Sequence, residues 1–127
     1  LETELEKLAD SHIKLLGRLD SGEITDLLSV SDIFCLPSVS EGFSTSLLEA
    51  AACQNYIVVT ATACPYELLP DSDYGNILPE LSVNAIEKGL IWALTHPEDR
   101  QQAAARVHER LIQNFTWEIV TDRVQKL

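Results

Sequence analysis

PSVSEGFSTSLLEAAA, from Pro37 to Ala52, joins two different sequence patterns. Just upstream, Asp32-Ile-Phe-Cys-Leu is short, apolar and rich in strand formers, which predicts a buried strand over Ile33 to Leu36. Downstream, an apolar helical pattern runs from Thr45 to about Cys53. The stretch therefore lies where a strand ends, a glycine-containing loop turns and a helix begins. In open α/β sheets that is the edge at which ligands bind.

Several of its residues suggest a physical task. Gly42 lets the backbone turn, or approach a ligand, with no Cβ in the way. Ser44 is a candidate N-cap, leaving the amides of Thr45 and Ser46 at the positive end of the helix dipole. Such an end binds phosphate without any Lys or Arg. Glu49 stands in a segment apolar on almost every face, where a carboxylate is costly to desolvate unless something hydrogen-bonds to it. Paired sugar hydroxyls suit it, because one carboxylate accepts two donors. Glu41, eight positions earlier, is placed to reach the same ligand from the other end. An exposed helix carboxylate and a solvated loop charge are the alternative readings of the two glutamates.

At these residues the chain resembles retaining nucleotide-sugar glycosyltransferases of the GT-B type, in their C-terminal, donor-binding domain. Glu41 and Glu49 match the E-x7-E signature of that family. The flanking runs Ser31-Asp-Ile-Phe-Cys-Leu-Pro-Ser-Val-Ser-Glu-Gly-Phe and Leu47-Leu-Glu-Ala-Ala-Ala-Cys match its wider pattern. Tyr56-Ile-Val-Val-Thr-Ala is similar to its next strand, while Tyr74-Gly-Asn-Ile-Leu and Asn114-Phe-Thr-Trp-Glu are weaker, supporting matches. The resemblance implies a Rossmann-like parallel sheet flanked by helices, part of a GT-B fold. It implies that Glu41, the catalytic candidate, touches the donor sugar and that Glu49 binds the ribose hydroxyls. The backbone of Phe43, Ser44, Thr45 and Ser46, next to Gly42, would hold the diphosphate. Arg18, after a strand expected over Ile13 to Leu16, is a further donor-binding candidate, with a solvated loop cation as its alternative.

The expected activity is transfer of a sugar from a nucleotide diphosphate to an acceptor with retention of configuration. The donor is a substrate, and no cofactor or metal is implied. A non-catalytic nucleotide-sugar-binding or partner-docking module, and a nucleotide-sugar epimerase, are the alternatives. Sugar or lipid-linked acceptors of the resembled family are met through a preceding domain, and they are compatible with peripheral membrane association of a whole enzyme. The chain has no methionine and opens on Leu1, Leu5 and Leu8 at helical spacing, so it reads as an excised piece, one donor-binding domain over residues 1–127. By itself that piece is expected not to turn over substrate.

The chain departs from the resembled pattern in places. Gln54 stands where glycine often caps the helix, so Asn55 is expected to take the left-handed conformation instead. Ala63-Cys64-Pro65 replaces a Gly-Gly turn, Ser44 a commoner glycine, and no upstream Arg and Lys pair is found.

The rest of the chain supports the same class. Helices are expected over Leu1 to Ala9, Glu23 to Ser29 with Asp20 or Ser21 as cap, and a short turn over Pro65 to Leu69. Strands are expected over Tyr56 to Ala61 and Gly75 to Leu78. Such strand and helix alternation, with strands apolar throughout, predicts a parallel sheet covered on both faces. A helical tail follows: one helix capped by Ser82 carrying Ile86, Leu90, Ala93 and Leu94 on one face, and another starting at Pro97 and burying Ala103, Ala104, Val107, Leu111 and Ile112. Thr116 caps a last helix through Val120 and Val124. Trp92 and Trp117 are expected to pack in the core or between domains. Glu67 is expected to cap or orient its short turn.

A chain of 127 residues, 46% hydrophobic, is long enough for one globular core. Its formal net charge of -11 argues against nucleic-acid binding, which needs a basic surface, and makes a phosphate ligand depend on backbone amides. Cys35, Cys53 and Cys64 show neither CxxC nor metal spacing, and the start has no signal-peptide layout, so a reduced, cytoplasmic chain is expected.

Overall fold

The computed structural model describes residues 2–42, 44–63 and 66–126. The elements run α1 (Glu2–Leu8), α2 (Ser21–Ser29), β1 (Ile33–Leu36), α3 (Thr45–Ala52), β2 (Tyr56–Thr60), β3 (Asn76–Leu78), α4 (Val83–Thr95), α5 (Pro97–Asn114) and α6 (Trp117–Gln125). The strands form a parallel sheet in the order β1-β2-β3, with Ile33 opposite Tyr56 and Val58 opposite Asn76. This is the predicted α/β architecture.

Alternation along the strands sorts the core into two layers. Phe34, Leu36, Ile57, Val59 and Ile77 face one side, packed with Leu47 and Ala51 of α3 and Val107 of α5. Ile33, Cys35, Tyr56, Val58 and Leu78 face the other, against Ala85 and Ala93 of α4 and Ala103 of α5. Every residue of β2 is buried. Full burial of Ile57, Val58 and Val59 contributes about 1.5–3 kcal/mol each.

Polar side chains at the two ends of β2 fix where β1 lies. Asn55 is fully buried; its Nδ2 donates to the carbonyls of Leu28 (3.0 Å) and Ser31, ahead of β1. Its Oδ1 is buried without a partner among the described residues. At the other end Thr60, 3% exposed, donates from Oγ1 to the carbonyl of Ser38 (2.7 Å), beyond β1. Arg100 of α5 adds a third tie, donating to the Ala93 carbonyl (3.2 Å) and to Asp32 Oδ1 (2.9 Å).

Helix starts follow sequence chemistry. Asp20 accepts from the Glu23 amide and Glu23 Oε2 accepts from the Asp20 amide, both at 2.9 Å, a reciprocal cap on α2. Ser82 Oγ accepts from the Ala85 amide (3.1 Å), and Pro97 opens α5 with Glu98 and Asp99 in its first turn.

Several expectations need correction. No strand forms over residues 13–16. Ile13, Leu15 and Leu16 are 53%, 44% and 50% exposed, and no strand pairs with the free edge of β1 among the described residues, so their β propensity has no ladder to join. Leu94 and Ile112 are exposed. The inner face of α4 is made of Ala85, Gly89 and Ala93, small residues that let it sit close to the sheet, with the expected Ile86 and Leu90 half-buried against the same layer. Trp117 is almost fully exposed, whereas Trp92 stacks on His96 with ring centroids 4.7 Å apart and leans on Tyr56. Gln54, not Asn55, takes the left-handed conformation (φ 59°), because Asn55 is committed to its buried hydrogen bonds. Tyr66 to Leu68 form a turn, whose Glu67 carbonyl accepts from Arg110 Nε (2.6 Å). The expected roles of Cys64 and Pro65 fall outside the described residues. Cys35 and Cys53 are free thiols, and burial pushes the Cys35 thiol up from its ordinary range.

Gly75 is required by packing. A Cβ there would lie 2.6 Å from Leu69 Cδ2 and 2.9 Å from the Ile57 carbonyl oxygen, which is backbone and cannot swing aside. Gly75→Ala is expected to lower unfolding free energy by about 1–3 kcal/mol in urea titrations. Tyr56, 2% exposed, has its phenol pushed up to about 12 by burial. Between its ordinary value near 10 and about 12 the unfolded chain releases this proton while the folded chain keeps it, so the stabilisation present below 10 is lost across that window. The 295 nm absorbance difference between the parent and Tyr56→Phe is expected to titrate near 12.

Candidate functional site

Parallel strands bring the carboxyl ends of β1 and β2 to one edge of the sheet. The loop leaving β1 carries Ser38, Glu41 and Gly42 and delivers the chain to α3 at Ser44. Phe43 lies outside the described residues.

Ser44 takes the N-cap position in extended geometry, but its side chain makes no capping hydrogen bond. Its Oγ lies 2.8 Å from Ser46 Oγ instead. The N-cap side chain therefore leaves the first amides of α3 without a capping acceptor. Gly42 is exposed, and a Cβ built on it meets nothing within 4 Å. Its φ is not positive, so the fold itself does not demand glycine at this point.

The two glutamates differ in setting. Glu41 is exposed, and its Oε1 accepts a hydrogen bond from Ser38 Oγ at 3.0 Å. Glu49 is also exposed, which corrects the expectation of a carboxylate held among apolar neighbours. The buried face of α3 is Leu47, Ala50 and Ala51. Thr45, Glu49 and Ala52 form an exposed stripe at helical spacing. Helical side chains lean toward the N-terminus, so Glu49 projects back over the turn that carries Thr45. Four residues span about 6 Å of helix axis, which a glutamate side chain largely recovers.

Arg18 is exposed and has no ion-pair partner among the described residues. It follows Gly17, whose φ is 67°, in irregular chain rather than after a strand, so the argument that put it at the carboxyl edge no longer holds. Sequence reasoning missed Thr60 and Thr62, whose hydroxyls lie 2.7 and 2.9 Å from the Ser38 carbonyl oxygen. In sequence both pass for ordinary strand formers.

A concavity of about 580 Å³ opens at the opposite edge, where β2 and β3 begin, lined by Tyr56, Asp73, Asn76, Trp92, Asp99 and Arg106 among others. None of the motif residues lines it. Among the described residues no group of three or more His, Cys, Asp or Glu is arranged to hold a metal, and no helix is long and apolar enough to cross a membrane.

Comparison with known proteins places these features. Residues 2–110 match the family described as glycosyl transferases group 1, and the chain belongs to that family. It is 25% identical over 117 residues to a phosphatidyl-myo-inositol mannosyltransferase of Mycolicibacterium smegmatis, covering 91% of this chain and 30% of the relative. Over 128 residues it is 27% identical to the gpi3 subunit of the phosphatidylinositol N-acetylglucosaminyltransferase of Schizosaccharomyces pombe, covering 100% of this chain and 28% of that protein. The chain thus spans under a third of these relatives. The C-terminal domain of a group 1 glycosyl transferase from Francisella tularensis superposes with a TM-score of 0.83 at 24% identity, over 91% of this chain and 63% of that one. Sucrose-phosphate synthase from Thermosynechococcus elongatus superposes with a TM-score of 0.85 at 20% identity, over 98% of this chain and 31% of that one. The fold is that of the C-terminal domain of GT-B glycosyltransferases.

Proposed function

We propose that this chain is the donor-binding domain of a retaining glycosyltransferase, and that its carboxyl edge holds a nucleotide-diphosphate sugar. The observation that carries the reading is the uncapped start of α3, set between two exposed glutamates in a chain of this family. The diphosphate lies against the amides from Phe43 to Ser46, where oriented N–H groups and the helix dipole supply the positive potential that the net charge of -11 withholds. Glu49 accepts the two ribose hydroxyls, and Glu41 meets the donor sugar. Exposure favours both roles, since neither carboxylate must be desolvated before the ligand arrives. Arg18 is a candidate for the diphosphate or base.

In transfer, the bond from the anomeric carbon to the diphosphate oxygen breaks and one to an acceptor oxygen forms. Positive charge develops on the sugar and negative charge on the departing diphosphate. Amides already aimed at that diphosphate stabilise the charge without reorganising. Glu41 orients the sugar; the acceptor, a sugar or lipid-linked alcohol, is met by a part of the protein outside this chain. The relatives' names, a mannosyl- and an N-acetylglucosaminyltransferase, make mannose and N-acetylglucosamine the first sugars to try, with GDP-mannose and UDP-N-acetylglucosamine as the test donors.

Calorimetric titration of the intact protein with UDP, GDP and those two sugar nucleotides tests the proposal. Saturable binding of at least one nucleoside diphosphate is expected, weakened about tenfold by Glu49→Gln, which removes a charged acceptor from two hydroxyls. Gly42→Ala is expected to leave the unfolding midpoint unchanged while weakening the same binding, because the open space at Gly42 is where the ligand approaches. Full binding by both variants would count against the site. Release of nucleotide with sugar joined to an acceptor separates transfer from isomerised donor, the mark of an epimerase, and from binding without turnover.

A further inference from the structure

We propose that Ser38 is a positioning residue that holds Glu41 in the orientation needed at the donor sugar, and that Ser38 is in turn anchored to the core by Thr60. The inference rests on the donor-site reading above. Ser38 Oγ donates to Glu41 Oε1 at 3.0 Å, so one carboxylate oxygen is held from within the loop while Oε2 has no partner among the described residues. The Ser38 carbonyl accepts from Thr60 Oγ1 at 2.7 Å. Thr62 Oγ1 lies 2.9 Å from the same carbonyl and 3.3 Å from Thr60 Oγ1, with one proton to serve either. Thr60 ends β2 and is 3% exposed, so this chain of contacts begins in the most buried strand and ends at the exposed carboxylate.

An exposed loop glutamate otherwise samples several rotamers, and each must be given up when the substrate binds. A hydrogen bond to an ionised acceptor is among the stronger ones, and here its donor is fixed at its backbone by the strand beside it. The carboxylate is thereby oriented before the sugar arrives, which is the condition for a group that acts by placement. Ser38 thus belongs to the site without touching the donor, its proton being used internally.

The test compares Ser38→Ala, Ser38→Thr, Glu41→Gln and the Ser38→Ala/Glu41→Gln pair in the intact protein. The probes are UDP and GDP for binding, and UDP-N-acetylglucosamine and GDP-mannose for nucleotide release. Ser38→Ala is expected to lower kcat about tenfold while affinity for the nucleoside diphosphate stays at the parent value. Ser38→Thr, which keeps a hydroxyl, is expected to recover most of the rate. The double variant is expected to be no slower than Glu41→Gln alone, since Ser38 acts only through that carboxylate. Parental turnover in Ser38→Ala alongside a slow Glu41→Gln would overturn the positioning role and leave the donor site standing. Effects of the two substitutions that multiply, or a parallel fall in diphosphate affinity, would also overturn it. Parental turnover in Glu41→Gln would instead remove Glu41 from the sugar, and this proposal with it.

Discussion

Everything at the carboxyl edge depends on β2 being buried along its whole length and pinned at both ends. A strand covered on two faces cannot slide, because a one-residue slip would turn Tyr56 and Val58 into the layer built for Ile57 and Val59. Asn55 and Thr60 add direction to that constraint. Asn55 grips the chain just before β1, and Thr60 grips it just after. The segment between those grips is β1, and what leaves it is the loop carrying Glu41. The position of an exposed, polar loop is thus set by hydrogen bonds made in the interior, each worth about 1 kcal/mol in net stability but far more costly to leave unmade.

The same arrangement bears on how an acidic chain could hold the anionic ligand of the proposed function. With Ser44 Oγ turned toward Ser46, the N-cap side chain makes no hydrogen bond to the amide end of α3. Backbone amides attract phosphate whatever the net charge, over short range and with fixed direction. Two carboxylates nearby are then less of a contradiction than they look. In the proposed site Glu41 and Glu49 accept from the hydroxyls of the sugar and the ribose, which are donors, and the diphosphate falls to the amides. The concavity at the opposite edge has no motif residue in its wall.

Much of this was legible in the sequence, for identifiable reasons. β1, α3 and β2 were readable because apolar runs of strand length alternate with a helical pattern, and capping chemistry at Asp20 and Ser82 marked two helix starts within a residue. Exposure was harder to read. A leucine or isoleucine on a helix fits an inward face only if something covers it, and Leu94 and Ile112 have no such cover among the described residues. Residues 13–16 have strand-like composition, yet a strand is a partnership and composition names no partner. At the site, the glutamate pair was visible as spacing, while its support was not. Thr60 and Asn55 look like a strand former and a turn former until the fold brings them to carbonyls more than 20 residues away.

The most direct test follows the backbone amides of this chain by two-dimensional nitrogen-proton NMR as UDP or GDP is added. Shifts concentrated from Ser38 to Glu49, with residues at the starts of β2 and β3 undisturbed, are predicted by a diphosphate held on the amides of α3. Shifts centred on Tyr56, Asn76 and Trp92, with the amides of Thr45 and Ser46 unmoved at saturation, would contradict it and transfer the ligand to the other edge of the sheet.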